Sequence, residues 1–165
     1  MTWVFCVPIQ PKGMARHKHT TIAGHTHAYK DPLDVKWQDM IAFAAARVMP
    51  DYALDGPVRV DVMMLLPRPK KLLNRSKRTG ELLGGAREGL MWAPTLPDSD
   101  NVLKNVYDGL KAIWRDDRQV CRGEPVKCYC EANRKPRVIV KVQLLPDEVP
   151  EVLQKFAASV NITEL

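Results

Sequence analysis

The sequence predicts an α+β fold, a single domain in which a mixed sheet carries helices packed on it. Three observations lead there. Apolar and polar residues alternate over VRVDVMMLL (58–66), QVCRGEPVKCYCEA (119–132) and RVIVKVQLL (137–145), the period of strands. Apolar residues recur at helical spacing over 32–49, 99–113 and 149–159. The segments follow one another as β-α-β-α-β-β-α, and the two successive strands near the end favour a layer of sheet and helices with an antiparallel finish. With 165 residues, 45% hydrophobic and 27% charged, the chain can bury one core and is too short for two ordinary domains. One domain over 1–165 is therefore expected.

Taken in order, WVFCVPI (3–9) is an apolar run closed by Pro-Lys-Gly, a first buried strand. Residues 10–30 have no hydrophobic period and read as a long loop or loose hairpin, a kind of segment that is usually functional. Asp31-Pro32 supplies an N-cap and a proline at the first helical position. Val35, Met40, Ile41, Ala44, Ala45 and Val48 then support a helix over 32–49. Asp55-Gly56-Pro57 is a turn, and 58–66 alternates before becoming wholly apolar, as a central strand does. Residues 67–97, rich in Pro, Gly and base, read as a basic, partly mobile insertion with a short helix near 80–90. A helix over 99–113 follows, then a hairpin-like pair of strands (119–132 and 137–145) and a C-terminal helix over 149–159.

No run of about 18 apolar residues is present, so no membrane span is expected. The N-terminus lacks the basic and apolar regions of a signal peptide, which points to the cytoplasm. The four cysteines (Cys6, Cys121, Cys128, Cys130) form no CxxC pair and read as buried thiols. Cys128 and Cys130 share a strand face but lack the remaining spacing of a zinc site.

The formal net charge is +6, and the base is clustered. Lys12, Arg16, Lys18 and Lys30 fall in 10–30 with no acid. Arg68, Lys70, Lys71, Arg75, Lys77 and Arg78 crowd 67–97, and a third basic segment spans 118–141. Such clustering either solubilises loops or meets a polyanion, most simply nucleic acid. His17, His19, His25 and His27 form two His-x-His pairs, readable as a metal site or as a polar loop beside phosphate. Trp92 reads as packing.

Against this basic background stands PDSDNVLKNVYDGLKAIWRDD (97–117). Val102, Val106, Leu110 and Ile113 give its helix one apolar face, while Asp98 and Asp100 precede it and Asp116 and Asp117 follow it. Taken singly, Asp98 or Asp100 could cap the helix, Lys104 could pair with Asp100, and Asp116-Asp117 could be a turn. Together they are harder to explain so. A cap needs one carboxylate, and acid at a helix C-terminus is unfavourable. Packed carboxylates repel unless a cation sits among them, and hard oxygen ligands suit Mg²⁺ or Mn²⁺. For Asp117 to join Asp98 and Asp100, the chain after Trp114 must turn back along a neighbouring strand. A carboxylate-held metal with base around it is the composition of a phosphodiester hydrolase, with Lys104 placed to stabilise transition-state charge.

These residues also carry a resemblance. PDSDNVLKNVYDGL followed by WRDDRQV is similar to the signature of RusA-type Holliday junction resolvases: Asp-x-Asp-Asn, a Lys four residues after the second Asp, Asp-x-Leu, then Asp-Asp-x-Gln-Val. The resemblance implies a RusA-like fold and a homodimeric, Mg²⁺-dependent endonuclease that cuts four-way DNA junctions by paired nicks. By the same carry-over Asp98, Asp100 and Asp117 are the metal-binding catalytic carboxylates, Lys104 is the catalytic lysine and Asp116 is an accessory acid. Lys12, Arg16, Lys18, Arg68, Lys70, Lys71, Arg75, Lys77 and Arg78 would contact DNA. Enzymes of this kind are commonly encoded by phages. The competing readings are a non-catalytic DNA binder on the same fold, a nuclease for other branched DNA, and a Mg²⁺-dependent nucleotide hydrolase.

Overall fold

The structure is a computed structural model, and it describes residues 1–15, 18–22, 25–73, 75–83 and 88–159. Of 18–22, 26–29, 156, 158 and 159 the backbone alone is described. Strand β1 (Thr2–Val7) leads into a hairpin of β2 (Lys18–Ile22) and β3 (His25–Tyr29), then helix α1 (Pro32–Ala46) and strand β4 (Val58–Leu66). After the excursion come β5 (Met91–Trp92), α2 (Ser99–Gly109), β6 (Val120–Arg122), β7 (Pro125–Tyr129), β8 (Arg137–Leu144) and α3 (Glu151–Ser159).

The main sheet is mixed and six-stranded, in the order β1-β8-β4-β7-β5, with β6 also on β4. β4 is its centre. Val58, Val60, Val62 and Met64 are all buried, and the strand bonds antiparallel to β8 on one edge and parallel to β6 and β7 on the other. The hairpin expected between 119–132 and 137–145 is therefore not formed: β4 lies between the two segments. One face of β4 is fully buried while Arg59, Asp61 and Met63 on the other are half-buried, and a strand so placed at the centre of the core takes neighbours on both edges. Segment 119–132 is also two strands rather than one, β6 and β7 being separated at Gly123-Glu124, and the register on β4 shifts within β6. A Cβ on Gly123 would stand 2.5 Å from the Val60 carbonyl oxygen, so only glycine lets the backbone pass so close.

α1 and α2 cover one face of the sheet. Trp37, Ile41 and Ala45 of α1 and Val102 and Val106 of α2, with Leu110 just beyond it, meet Val58, Val60, Val62, Val138, Val140 and Val142 in one core. Where the helices cross, a Cβ on Gly109 would come within 3.0 Å of the Gln38 carbonyl oxygen and of Ile41. Asp31 caps α1 by accepting from the Leu33 N–H, with proline following it, as the sequence predicts. The buried face is only partly the predicted one: Ile41 and Ala45 are buried as expected. Asp34, Trp37, Gln38, Ile41 and Ala45 point inward, while Val35, Met40 and Val48 are exposed. Residues 10–30 do contain a hairpin. The described parts of 80–90 are not helical, and 84–87 lie outside the described residues.

Candidate active site at the two ends of helix α2

Asp98 occupies the N-cap of α2 with extended backbone (φ −66°, ψ 144°), yet its side chain makes no capping hydrogen bond. Asp100 follows in the first turn. Both carboxylates are exposed, and neither has a hydrogen-bond or ion-pair partner among the described residues. Lys104, one turn further on, is exposed as well and does not pair with Asp100. The cap and the surface ion pair, the two structural explanations open to these residues, are thus both absent. What remains is a pair of adjacent, unneutralised carboxylates.

Their support is firm. Lys127 of β7 reaches the turn before α2, its Nζ donating to the Thr95 carbonyl at 2.6 Å and to the Pro97 carbonyl at 3.0 Å. From the other side the Met14 N–H donates to the Asn101 carbonyl at 3.1 Å, and Gly13 packs against Pro97 and Asn101. Sequence reading missed Lys127. Its signal was a lysine on the inward side of a strand, in register with buried Met64.

Behind this turn lies a buried polar network that ties the basic hairpin to both helices. Asp34, 1% exposed, accepts from Lys12 Nζ and from the Ala15 N–H at 2.9 Å. Asn105 donates to the Lys12 carbonyl at 3.3 Å and accepts from Gln38 at 2.7 Å. Asp108 accepts from Lys30 Nζ at 3.0 Å and pairs with Lys111 at 2.8 Å. Burial pushes the Asp108 carboxyl upward, but the hydrogen bonds from Lys111 and Lys30 outweigh it and hold the group below its usual range. The segments before and after the hairpin are thereby fastened at Asp34 and Asp108.

The second pair of acids sits at the far end of α2. Trp114 is buried and donates from Nε1 to Asp117 Oδ1 at 2.9 Å. Lys111 is raised chiefly by its hydrogen bond to Asp108, with Asp117 adding a smaller share. Asp116 caps a short 3₁₀ turn over 117–119 in a reciprocal box with Gln119. Side-chain and backbone hydrogen bonds from Arg118 hold Asp116 down at about 2. Lys111, Trp114, Arg115, Asp116 and Asp117 line one shallow cleft.

β4 serves as a ruler for the separation. Lys127, beside Pro97, pairs with Met64, whereas Val120, just after Asp117, pairs with Val58. The eleven residues of α2 span about 16 Å. The chain after Trp114 does turn back along a neighbouring strand, but Asp117 stays at the turn. The side chain this return brings beside Pro97 is that of Lys127. Among the described residues of one chain, no three His, Cys, Asp or Glu converge to hold a metal.

The basic residues divide into two groups. Lys12 is spent on Asp34. Arg68 is buried, its guanidinium donating to the Cys130 and Gly89 carbonyls. Arg75 donates to the Gly80 and Ala132 carbonyls and to Asn133. These three fasten the hairpin and the 67–97 excursion. Lys70, Lys71, Lys77 and Arg78 are exposed and have no side-chain partner among the described residues. Arg16 and His17 lie outside the described residues, as do the side chains of Lys18, His19 and His27, while His25 is exposed. Trp92, expected to pack, is 76% exposed on the edge strand β5. Cys128 and Cys130 are buried thiols as expected, but Cys6 and Cys121 are exposed.

A family comparison decides what this arrangement belongs to. The profile of the family described as Endodeoxyribonuclease RusA matches residues 8–143, a span that encloses the hairpin, both ends of α2 and the central sheet. The chain belongs to this family. The family's activity is endonucleolytic cleavage of DNA, and the RusA-type fold is the mixed sheet with helices described above. A relative, the uncharacterized protein YqaN of Bacillus subtilis (strain 168), is 33% identical over 141 residues, covering 84% of this chain and 94% of its own length. No helix of the described residues is long and apolar enough to cross a membrane.

Proposed function

We propose that this RusA-family protein is a Mg²⁺-dependent, structure-selective endodeoxyribonuclease that acts as a homodimer and resolves four-way DNA junctions by paired symmetric nicks. Its setting would be recombination and repair in the cytoplasm of a bacterium or a phage-infected cell. The observation that carries the reading is the pair Asp98 and Asp100, exposed and unpartnered on a braced helix start inside the family match.

The residues fit the ion. Mg²⁺ keeps several waters and is usually bound through one or two carboxylates plus substrate phosphate, and Mn²⁺ accepts the same donors. Asp98 and Asp100 would hold it. When bound, such an ion supplies Lewis-acid polarisation of the phosphate and an activated water. The chain's own residues do the rest. The start of α2 offers backbone N–H groups and the positive end of its dipole to a phosphate. Lys104, without a partner, is free to neutralise charge that develops on the phosphate oxygens. Lys127 acts as a positioning residue by fixing the Pro97–Asp98 turn.

Asp117 cannot reach this point within one chain. In a two-fold dimer, Asp117 of a second copy completes the carboxylate set, which ties catalysis to dimer formation and matches two symmetric cuts. Lys70, Lys71, Lys77, Arg78, Arg16 and Lys18 contact DNA phosphates, which position the substrate without reading its sequence. Lys12, Arg68 and Arg75 serve the same end indirectly, by holding the basic segments in place.

The decisive experiment compares a mobile four-way junction with a linear duplex in Mg²⁺, with Asp100→Asn as control. Symmetric nicks confined to the junction and lost in the variant support the reading. Cuts in other branched substrates but not in junctions redirect it to another branched DNA. Tight binding without cleavage in Mg²⁺ or Mn²⁺ promotes the non-catalytic binder.

A further inference from the structure

The outer side of α1 does not behave as a protein surface should. Met40, Phe43 and Val48 are exposed, Phe43 to 69%. With Phe5, Cys6, Val7 and Pro8 they line a groove of about 720 Å³ along β1. β1 is an edge of the sheet, paired to β8 on one side only. A long edge strand beside exposed apolar side chains is a surface that natural proteins normally cover.

The same chain carries an apolar element that is itself uncovered. α3 has an amphipathic sequence, EVLQKFAAS, yet Val152 is 71% exposed. Among the described residues α3 makes no substantial contact with any other element. A nine-residue helix with so little packing among the described residues is poorly sustained, since isolated helices of that length are marginal in water. α3 also falls beyond the stretch matched by the family, which ends at residue 143.

We propose that α3 of each copy docks in the β1–α1 groove of a second copy, so that two uncovered surfaces are buried by one reciprocal exchange. The dimensions agree: nine residues of α3 measure about 14 Å, and α1 from Lys36, at one end of the groove, to its last residue Ala46 spans about 15 Å. The charges agree too. Lys36 and Arg47 stand on the groove against Asp39 alone, while Asp147 and Glu148 lead into α3, where Glu151 is already paired with Lys155. An isologous exchange closes on itself and stops at two copies. This inference deepens the homodimer reading above and rests on it for the number of subunits.

The test uses the full chain. In a Cys6→Ser, Cys121→Ser background, Val152→Cys on α3 and Phe43→Cys on the groove are brought together by the exchange, and oxidation with diamide should give a covalent dimer on a non-reducing gel. A chain carrying only one of the two new cysteines should give no such dimer. Separately, Phe43→Glu, or a chain ending at Pro146, should weaken self-association at least tenfold by sedimentation equilibrium. A disulfide that forms only within one chain, or none at all, overturns the proposal. So does an undiminished dimer after truncation. Junction cleavage by the truncated chain, still dimeric, would remove the role of α3 while leaving the nuclease reading intact. A cross-linked full chain that never cuts DNA would do the reverse.

Discussion

Asp98 takes the position of a helix cap while leaving the capping bond unmade, and the consequence is testable by stability alone. A capping aspartate changed to alanine typically costs about 0.5–2 kcal/mol. Here the carboxylate bonds nothing and stands two residues from a second free acid, so repulsion offsets the modest stabilisation that the helix dipole gives an acid at its N-terminus. Asp98→Asn and Asp100→Asn are therefore expected to leave the melting temperature unchanged or slightly higher, while lowering cleavage by about 10²–10³-fold or more, the scale of losing a preorganised charge. A clear drop in melting temperature, measured without metal, would return Asp98 to the role of a cap. Gly123 shows the opposite balance. A methyl group 2.5 Å from the Val60 carbonyl oxygen forces β4 and β7 apart, so Gly123→Ala should cost about 1–3 kcal/mol. Urea unfolding at neutral pH checks it.

At the scale of elements, the buried network behind α2 decides how the basic hairpin is held, and it should be visible in the pH dependence of stability. The folded-state pKa of Asp108 lies below the ordinary carboxylate value, because the hydrogen bonds from Lys111 and Lys30 outweigh the opposing effect of burial. A group shifted down contributes stability that is complete above its unfolded pKa and is lost as pH falls through the folded one. The stability difference between the wild type and Asp108→Asn should thus be constant from neutral pH to about pH 5 and shrink below about pH 4. A difference that persists unchanged to pH 3 would show that the Lys30 and Lys111 contacts do not set this limb. This network also marks where sequence reading fell short. The α2 face of Val102 and Val106, the Asp31 cap and the centrality of β4 were legible, because periodicity and capping are local signals. Asp34, Gln38 and Asn105 were not, since each is an ordinary polar residue until its partner from another element is known. The mistaken hairpin of 119–132 with 137–145 has the same origin. Both strands alternate well, and nothing local says that β4 will take one on each edge.

At the scale of the whole molecule, the sequence placed the candidate acids at the two ends of one helix, but helix length set a limit that motif spacing could not show. Asp98 and Asp100 begin α2, Asp117 lies beyond its end, and about 16 Å of helix keeps them apart. If one site draws Asp98 and Asp100 from one copy and Asp117 from the other, two inactive variants should rescue each other. An Asp100→Asn homodimer lacks both sites, and so does an Asp117→Asn homodimer. In the mixed dimer, one site carries both substitutions and the other carries neither. Co-refolding the two variants in equal amounts should then yield half mixed dimers, each able to nick one strand of a junction but not both. The product is a nicked junction rather than two resolved duplexes, and the two are separable on native and denaturing gels. Were all three carboxylates gathered within one chain instead, each site of the mixed dimer would lack one acid and no nick would appear. The same mixture with Lys104→Ala in place of Asp117→Asn gives the control. Lys104 lies on α2 beside Asp100, so both changes fall on the same side of the site, each site of that mixed dimer carries one defect, and no rescue is expected.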